Sequence, residues 1–501
     1  MSYRRYLPYL LVFLTALPPS SAIAEDESGG EPPADQESAT ADEGPSDDES
    51  TEEEDPWADL APEFSFGSYG RVQYDYDFEG NRGRDTNVVA HGPRILEGSY
   101  AELDFRSSFE APDGFTAEVL TTIALLEPFA HFSGDFVDQS LAVRNLYLTV
   151  EGFIPGAEGF GAWAGSRMYR GDDIYLLDWW PLDELNTVGG GVFWESNGFQ
   201  ARAHLGVNRL DDDFQFQTIE VPGESFGSRQ KVVMERQRSI GSLRLRYEEA
   251  NAFGQTGAKA VAYGEYHAIP SGQRIDPEVI KNGAPQYPTE EVTDQLPSER
   301  GVVAGAQLGL FGFGPSSHLN LFFRWARGLA AYGEFGVPFG RSADGTSWQA
   351  EELLGALSAN WETEHFGLMG GGYLRSFRDA DSDPSDIDDF TEGAVSLRPI
   401  WFATRHFHQA VEVSWQSRSP RGLTPEDGEH RTPSVLQASV LEIIGLDQGS
   451  YRRPQLRLQY TVSISNEDAR ELYPSGDQRR PAAVEHFVGL GAEWWFNSSR
   501  Y

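Results

Sequence analysis

The sequence predicts an all-β chain, a transmembrane antiparallel β-barrel of about 18 strands, and three observations carry that expectation. The body alternates apolar with polar or small residues at period two. The alternating segments run to about ten residues, the length a tilted strand needs to cross a bilayer. An export leader stands before them. The 501 residues hold 39 Lys+Arg against 78 Asp+Glu, a formal net charge of -39, with 53 Gly, no Cys and 13% aromatics. Beyond the leader no stretch is apolar enough for a spanning helix. Such acidity argues against a nucleic-acid partner, whose phosphates it would repel. Without cysteine, neither disulfides nor thiolate metal sites can form.

Residues 1–24 read as a signal peptide. Arg4 and Arg5 supply the positive start, Leu7 to Leu17 the apolar middle, and Ala22-Ile23-Ala24 a small-residue cleavage site. Residues 25–63 follow with 17 Asp or Glu and no Lys or Arg. That composition cannot bury enough apolar surface to offset its ordering entropy, so an acidic disordered linker is expected. Its 17 charges, taken from -39, leave -22 on the rest of the chain.

Residues 64–501 are expected to form the barrel. In Phe66–Asp75, Phe66, Ser68, Gly70, Val72 and Tyr74 share one face, and Tyr69, Arg71, Gln73 and Asp75 the other. In Tyr100–Arg106, Ala101, Leu103 and Phe105 point outward, opposite Tyr100, Glu102, Asp104 and Arg106. The parity recurs in Ala201–Val207, in Ile240–Tyr247, in Leu319–Trp325 and in Val411–Trp415. Gln455–Ile464 sets Leu456, Leu458, Tyr460, Val462 and Ile464 against Gln455, Arg457, Gln459, Thr461 and Ser463. In His486–Phe496, Val488, Leu490, Ala492, Trp494 and Phe496 face out, which turns Glu493 and Trp495 inward.

A soluble sandwich alternates too. Segment length, the charged inner faces and the aromatics near strand ends, as in Phe322-Phe323-Arg324-Trp325 and Trp494-Trp495-Phe496, favour the membrane barrel. A barrel of this size leaves an aqueous channel. Residues 269–300, rich in Pro, Gly and charge, and 379–389, with six Asp and no strand pattern, are expected to be long external loops. The acidic loop lacks the glycine and terminal glutamate of an EF-hand, so no metal or other cofactor is expected.

Tyr69, Tyr100 and Trp495 thus enter a polar lumen beside charged residues. That mixture suits a sugar, whose ring face stacks on aromatics while its hydroxyls bond to charged groups. The stretch Trp163-Ala-Gly-Ser-Arg-Met-Tyr-Arg-Gly-Asp-Asp-Ile-Tyr-Leu-Leu-Asp178-Trp179-Trp180 resembles the third-loop region of the maltoporin family, the trimeric sugar porins. Ser68-Tyr-Gly-Arg71, Ser99-Tyr-Ala-Glu-Leu103, Leu397-Arg-Pro-Ile400 and Gly491-Ala-Glu-Trp-Trp-Phe fit the same family in the same order, with residues 200–390 unaligned. The resemblance implies a constriction loop folded into the lumen, a homotrimer in the outer-membrane lipid, and oligosaccharide substrates. It assigns Tyr69, Tyr100 and Trp495 to a row of sugar-stacking aromatics, with Phe129 or Phe132 as the member contributed by a neighbouring subunit. Arg71, Arg94, Glu102 and Arg144 become polar-track residues, and Asp173, Asp178 and Trp180 belong to the constriction loop. The chain departs from the family at Gly171, where arginine is expected and the adjacent Arg170 is the available substitute.

Each assignment has a plain competitor: interfacial aromatics for the rings, lining of a hydrated pore for the charges, and loop anchoring for Asp173, Asp178 and Trp180. The expected function is an outer-membrane channel for facilitated diffusion of maltodextrin-like carbohydrates, and not an enzyme. A general or cation-selective porin is the alternative. A barrel hydrolase would need a Ser, His and acid constellation that the 10 His do not suggest. A structural anchor acting through the acidic leader is a further rival.

Overall fold

A strand with one apolar and one polar face is satisfied when lipid lies outside and water inside. The computed structural model describes residues 62–81, 86–126, 141–222, 228–275, 293–383, 387–424, 428–477 and 480–499. The signal peptide, all but the end of the acidic linker, and Phe129 and Phe132 lie outside the described residues. The strands begin with β1 (Glu63–Asp77), β2 (Tyr100–Glu110), β3 (Thr116–Leu126), β4 (Leu141–Glu151), β5 (Phe160–Met168), β6 (Asn186–Ser196) and β7 (Phe199–Asn208). Next come β8 (Phe216–Pro222), β9 (Ser228–Glu235), β10 (Arg238–Phe253), β11 (Thr256–Ile269), β12 (Gly272–Ile275), β13 (Thr293–Leu296) and β14 (Glu299–Phe311). The last are β15 (His318–Gly328), β16 (Glu351–Glu362), β17 (Phe366–Arg378), β18 (Phe390–Phe402), β19 (Phe407–Pro420), β20 (Ser434–Gly445), β21 (Gln455–Ser465) and β22 (Val484–Phe496).

All but β8, β9, β12 and β13 join one 18-stranded antiparallel sheet. Neighbours in the chain are neighbours in the sheet, with β7 paired to β10 and β11 to β14 across the inserted hairpins. β22 returns to β1, Tyr69 opposite Trp495 and Asp77 opposite Phe487, so the sheet closes as a barrel and no edge is left. The period-two expectation holds along it. On β21 Leu456, Leu458 and Tyr460 are exposed on the outer surface, whereas Gln455, Arg457, Gln459, Thr461 and Ser463 are buried toward the lumen. β16 and β19 repeat the pattern.

Connections alternate between short and long. β6 and β7 turn on Asn197-Gly198, both at positive φ (48° and 78°), the geometry that matches strand twist in a two-residue hairpin. At the other end the chain makes its long excursions, among them 78–99, 169–185, 209–237, 270–298 and 329–350. The 269–300 loop carries a short hairpin of its own: β11 runs to Ile269, β14 starts at Glu299, and β12 pairs with β13 between them. The cross-strand partners are polar, Arg274 with Asp294 and Gln273 with Gln295. A two-strand ladder needs no apolar face when it stands in water, so alternation does not reveal it. β8 and β9 form a second hairpin outside the main sheet, with mixed partners such as Gln217 opposite Met234.

The apolar core lies inside the barrel, where inward segments meet the wall. Ile174, Leu177, Trp179 and Leu182 pack with Tyr263, Phe322, Leu354 and Phe377. Tyr175 and Leu176 pack with Met369, Ile400, Phe402 and Leu441 on the next strands. Segment 329–350 adds the buried turn Leu329–Tyr332. The wall makes room with glycine: a Cβ on Gly371 would stand 2.5 Å from Ile174 Cγ2, and one on Gly305 would stand 2.7 Å from Leu182 Cδ2. The constriction loop expected from the family resemblance is therefore present, and the lumen wall is shaped to seat it.

Candidate functional site: the constriction and its aromatic and charged wall

The loop between β5 and β6 is a narrow double strand of chain. Tyr169 N–H donates to Leu185 O, Gly171 N–H to Asp183 O, and Ile174 N–H to Trp179 O. Tyr175–Leu177 make a single 3-10 turn closed by Asp178 in the left-handed region, φ 48°. An ideal Cβ on Gly171 would overlap Asp183 Oδ1, so a side chain such as the arginine expected from the resemblance would require the Asp183 carboxylate, held by Arg244, to shift. Arg170 takes up the charge instead, clasping Glu102 with two hydrogen bonds of 2.8 and 3.1 Å and lying 4.9 Å from the Trp180 ring.

Ion pairs moor the loop to the wall. Arg71 reaches Asp178 and Glu97, both at 3.1 Å, and donates to the Tyr69 hydroxyl at 3.0 Å. Lys259 holds Asp172 at 2.7 Å with Gln307 beside it, and Arg244 holds Asp183 at 3.1 Å. Asp173, half-buried, lies near enough to Tyr451 for its charge to help push that phenol up. Burial also raises the Glu97 carboxyl against the pull of Arg71 and Arg94. Asp183 is pushed up to about 6, because burial, together with the charge of Asp172, outweighs Arg244.

Tyr69, Tyr100 and Trp495 form one contiguous row. Tyr69 is 6.1 Å from Tyr100 and 6.4 Å from Trp495 between centroids, nearly parallel to the latter. Tyr69 is wholly buried, with the Arg71 guanidinium 6.0 Å from its ring, while Tyr100 reaches open space. That space is a cavity of about 570 Å³ whose lining includes Arg71, Tyr100, Arg144, Asp178, Trp179 and Trp180. Arg94 does not belong to a strand. It rides the inward segment 86–99, bonds Glu97 at 2.7 Å and Glu493 at 2.9 Å, and covers the Tyr175 ring at 4.5 Å. Glu102 is fully buried behind Arg170. The structure thus gathers Arg71, Tyr100, Arg144, Asp178 and Trp180 at one cavity, sets Tyr69, Trp495, Arg94 and Glu102 behind them, and leaves Asp173 to one side.

Apart from Arg94 and the inward Arg324, segment 86–99 and the far wall were not read from the sequence. His91 stacks on Trp179 at 3.8 Å and 12°, and its backbone N–H donates to the Tyr373 hydroxyl. Burial and the charges of Arg375 and Arg324 lower its imidazole to about 3, so it stacks as a neutral ring. Opposite, Glu352 bridges Arg324 (2.7 Å) and Arg375 (2.6 Å), and Arg375 reaches Glu392 at 3.2 Å. A signal existed: the acids at 352, 392 and 412 fall at inward parity in otherwise apolar or small-residue strands.

The profile of the LamB porin family matches residues 64–496. The chain belongs to the LamB porin family. It is accordingly a bacterial outer-membrane porin channel, as its closed barrel with a polar lumen requires. Among characterised relatives, a maltoporin of Hahella chejuensis (strain KCTC 2396) is 28% identical over 137 residues, 25% of this chain and 33% of that protein. The match thus spans about a third of that relative's length. Solved structures similar to this LamB porin include an OccD1 (OprD) double variant, with 9% identity, TM-score 0.42 and coverage of 87% of this chain and 96% of the other. OmpT of Vibrio cholerae gives 11% identity, TM-score 0.37 and coverage of 87% and 100%. These scores are too low for any argument to rest on them.

Glu334, on the 329–350 segment, sets a pH dependence. Its two oxygens accept the Asn186 N–H at 2.7 and 2.8 Å, and Asn208 donates at 3.0 Å. Burial, with the nearby charge of Glu265, nevertheless raises its carboxyl to about 8. A carboxyl raised on folding contributes stability below its unfolded-state pKa and loses that contribution as pH rises through the folded value. The urea midpoint of the folded barrel is therefore expected to fall between about pH 5 and pH 8. Glu334→Gln should flatten that slope. An identical slope in the variant would remove Glu334 as its source.

Proposed function

We propose that this LamB porin carries carbohydrates, maltodextrin-like oligosaccharides in the first instance, by facilitated diffusion past the constriction, as a homotrimer and without enzymatic activity. The observation that supports this reading most is the contiguity of Tyr69, Tyr100 and Trp495 with a cavity bordered by Arg71, Arg144 and Asp178. Rings offer a stacking surface, and charged neighbours exchange hydrogen bonds with hydroxyls as the sugar advances. Weak and distributed binding is what conduction needs, because a single tight site would stop traffic. Residues 1–24 would direct export, and 25–63 would serve as an acidic spacer.

Current through single pores in a planar bilayer, recorded while maltotriose or longer maltooligosaccharides are added, tests this directly. Concentration-dependent block is the expected result. Its absence would leave a general porin, which the formal -22 outside the acidic leader would bias toward cations.

A further inference from the structure

Most arginines that border the lumen are neutralised: Arg71 by Asp178, Arg170 by Glu102, Arg324 by Glu352, Arg375 by Glu392. On the inner wall of β2, β4 and β5 this stops. Arg106, Arg144 and Arg167 have neither an ion pair nor a side-chain hydrogen bond to any described residue, and Arg106 Nε and Arg144 Nε are buried without a partner. Arg144 is turned inward by a β-bulge. Thr122 pairs with Asn145 and Ile123 with Val143, which leaves Arg144 as the extra residue, and its side chain borders the cavity. Arg167 sits among three rings, its guanidinium 4.6 Å from Tyr147, 5.1 Å from Trp163 and 4.7 Å from Tyr169. Arg106 lies at the same level, since it is opposite Leu120, which is in turn opposite Tyr147. Arg144 stands three residues up β4 from Tyr147, about 10 Å nearer the constriction.

Like charges on neighbouring strands repel, and among the described residues no carboxylate forms an ion pair with these three. Asp104 is taken by Thr122 and Ser499. Glu118 is inward on β3 but makes no ion pair, and with Glu63, Glu110 and Glu151 it borders a separate cavity at the short-turn mouth. Planar guanidinia without a carboxylate partner, half-buried along one wall and bordering the cavity at Arg144, are suited to bind oxyanions through paired N–H groups. We propose that this wall is a binding strip for the anionic group of an acidic carbohydrate, a carboxylate or a phosphate, entered from the constriction at Arg144. The inference rests on the carbohydrate reading above and names a substrate class within it.

The test uses the full-length porin in planar bilayers at about 0.1 M salt, where charges within a Debye length still act. Maltotriose, trigalacturonate and a phosphorylated maltotriose are compared as blockers. The charged trisaccharides should block at about tenfold lower concentration than maltotriose, an advantage that shrinks in about 1 M salt. The stronger of the two identifies the oxyanion. Arg106→Gln and Arg167→Gln should each remove most of that advantage while leaving maltotriose block and open-pore conductance in place. Block by maltotriose with no advantage for either charged sugar overturns the strip and spares the carbohydrate reading, as does an advantage that survives both substitutions. If no sugar blocks at all, the carbohydrate reading falls and the acidic-sugar substrate falls with it. In that case a reversal potential unmoved toward cations in the two variants overturns the anion site as well.

Discussion

Tyr100→Ala is expected to raise the maltooligosaccharide concentration needed for half-block about tenfold or more, while small-ion conductance stays within about twofold. The asymmetry follows from position. Tyr69 is wholly buried under Arg71 and between its aromatic neighbours, so it supports the row without offering a free face. Tyr100 is the ring of the three that borders the cavity, and losing it removes both the stacking surface and the hydroxyl that bonds Glu102. A stacked aromatic pair contributes about 0.5–1.5 kcal/mol beyond the area it buries, which together with that area amounts to one or more decades in affinity. Ions take no part in stacking and should pass almost unchanged. A parallel loss of sugar block and conductance would mean that Tyr100 holds the wall together instead. Tyr100→Phe separates ring from hydroxyl: it should keep most of the block if stacking dominates.

Much of this architecture was legible because a barrel in lipid exposes its rule along every strand. Each outward position needs an apolar side chain, so Leu456, Leu458 and Tyr460 declare their face and Arg457 and Gln459 the opposite one. The same parity turned Tyr69, Tyr100, Glu493 and Trp495 inward before any contact was known. Three kinds of feature escaped it. The hairpins β8–β9 and β12–β13 lie outside the main sheet and mix apolar with polar partners, as in Gln217 opposite Met234 and Arg274 opposite Asp294, so no lipid-facing period marks them. Segment 86–99 enters the lumen on isolated polar bonds, Val88 N–H to Gln416, Ala90 N–H to Glu392 and Gln437 to Thr86, whose partners are more than 300 residues away in the chain. Arg144 points inward only because a bulge shifts the register, and a strict period of two cannot see an inserted residue. Gly171 is a different case. A departure from the family pattern was visible in the sequence, but the Asp183 carboxylate in the space a side chain would fill is a contact across the two arms of one loop.

Glu493→Gln is expected to cost more stability than any comparable removal of a wall acid, because it is the shared anion of the site's densest charge cluster. The carboxylate accepts from Arg94 at 2.9 Å, Arg453 at 2.8 Å, the Tyr175 hydroxyl at 2.9 Å and Gln455 at 3.2 Å, with Arg457 at 4.0 Å. Removing one partner of a buried ion pair costs about 3–5 kcal/mol, since the remaining charge is left without compensation. Here Arg94, Arg453 and Arg457 would face one another. The consequence reaches the channel, because Arg94 anchors segment 86–99 and Tyr175 anchors the constriction loop, both through this one side chain on β22. The variant should lower the urea midpoint and, where it still folds, raise and destabilise the open-pore current as both segments loosen. Glu412→Gln is the control. It is equally buried on β19 but, among the described residues, bonds Arg398 and Ser396 and reaches the constriction loop only indirectly, through Arg398 at 5.8 Å from the Tyr175 ring. It should cost less and leave the current steady. Equal destabilisation and equal current noise in the two variants would show that Glu493 contributes as an ordinary wall residue, and that the loops are held by their apolar contacts with Met369, Ile400 and Tyr263 instead.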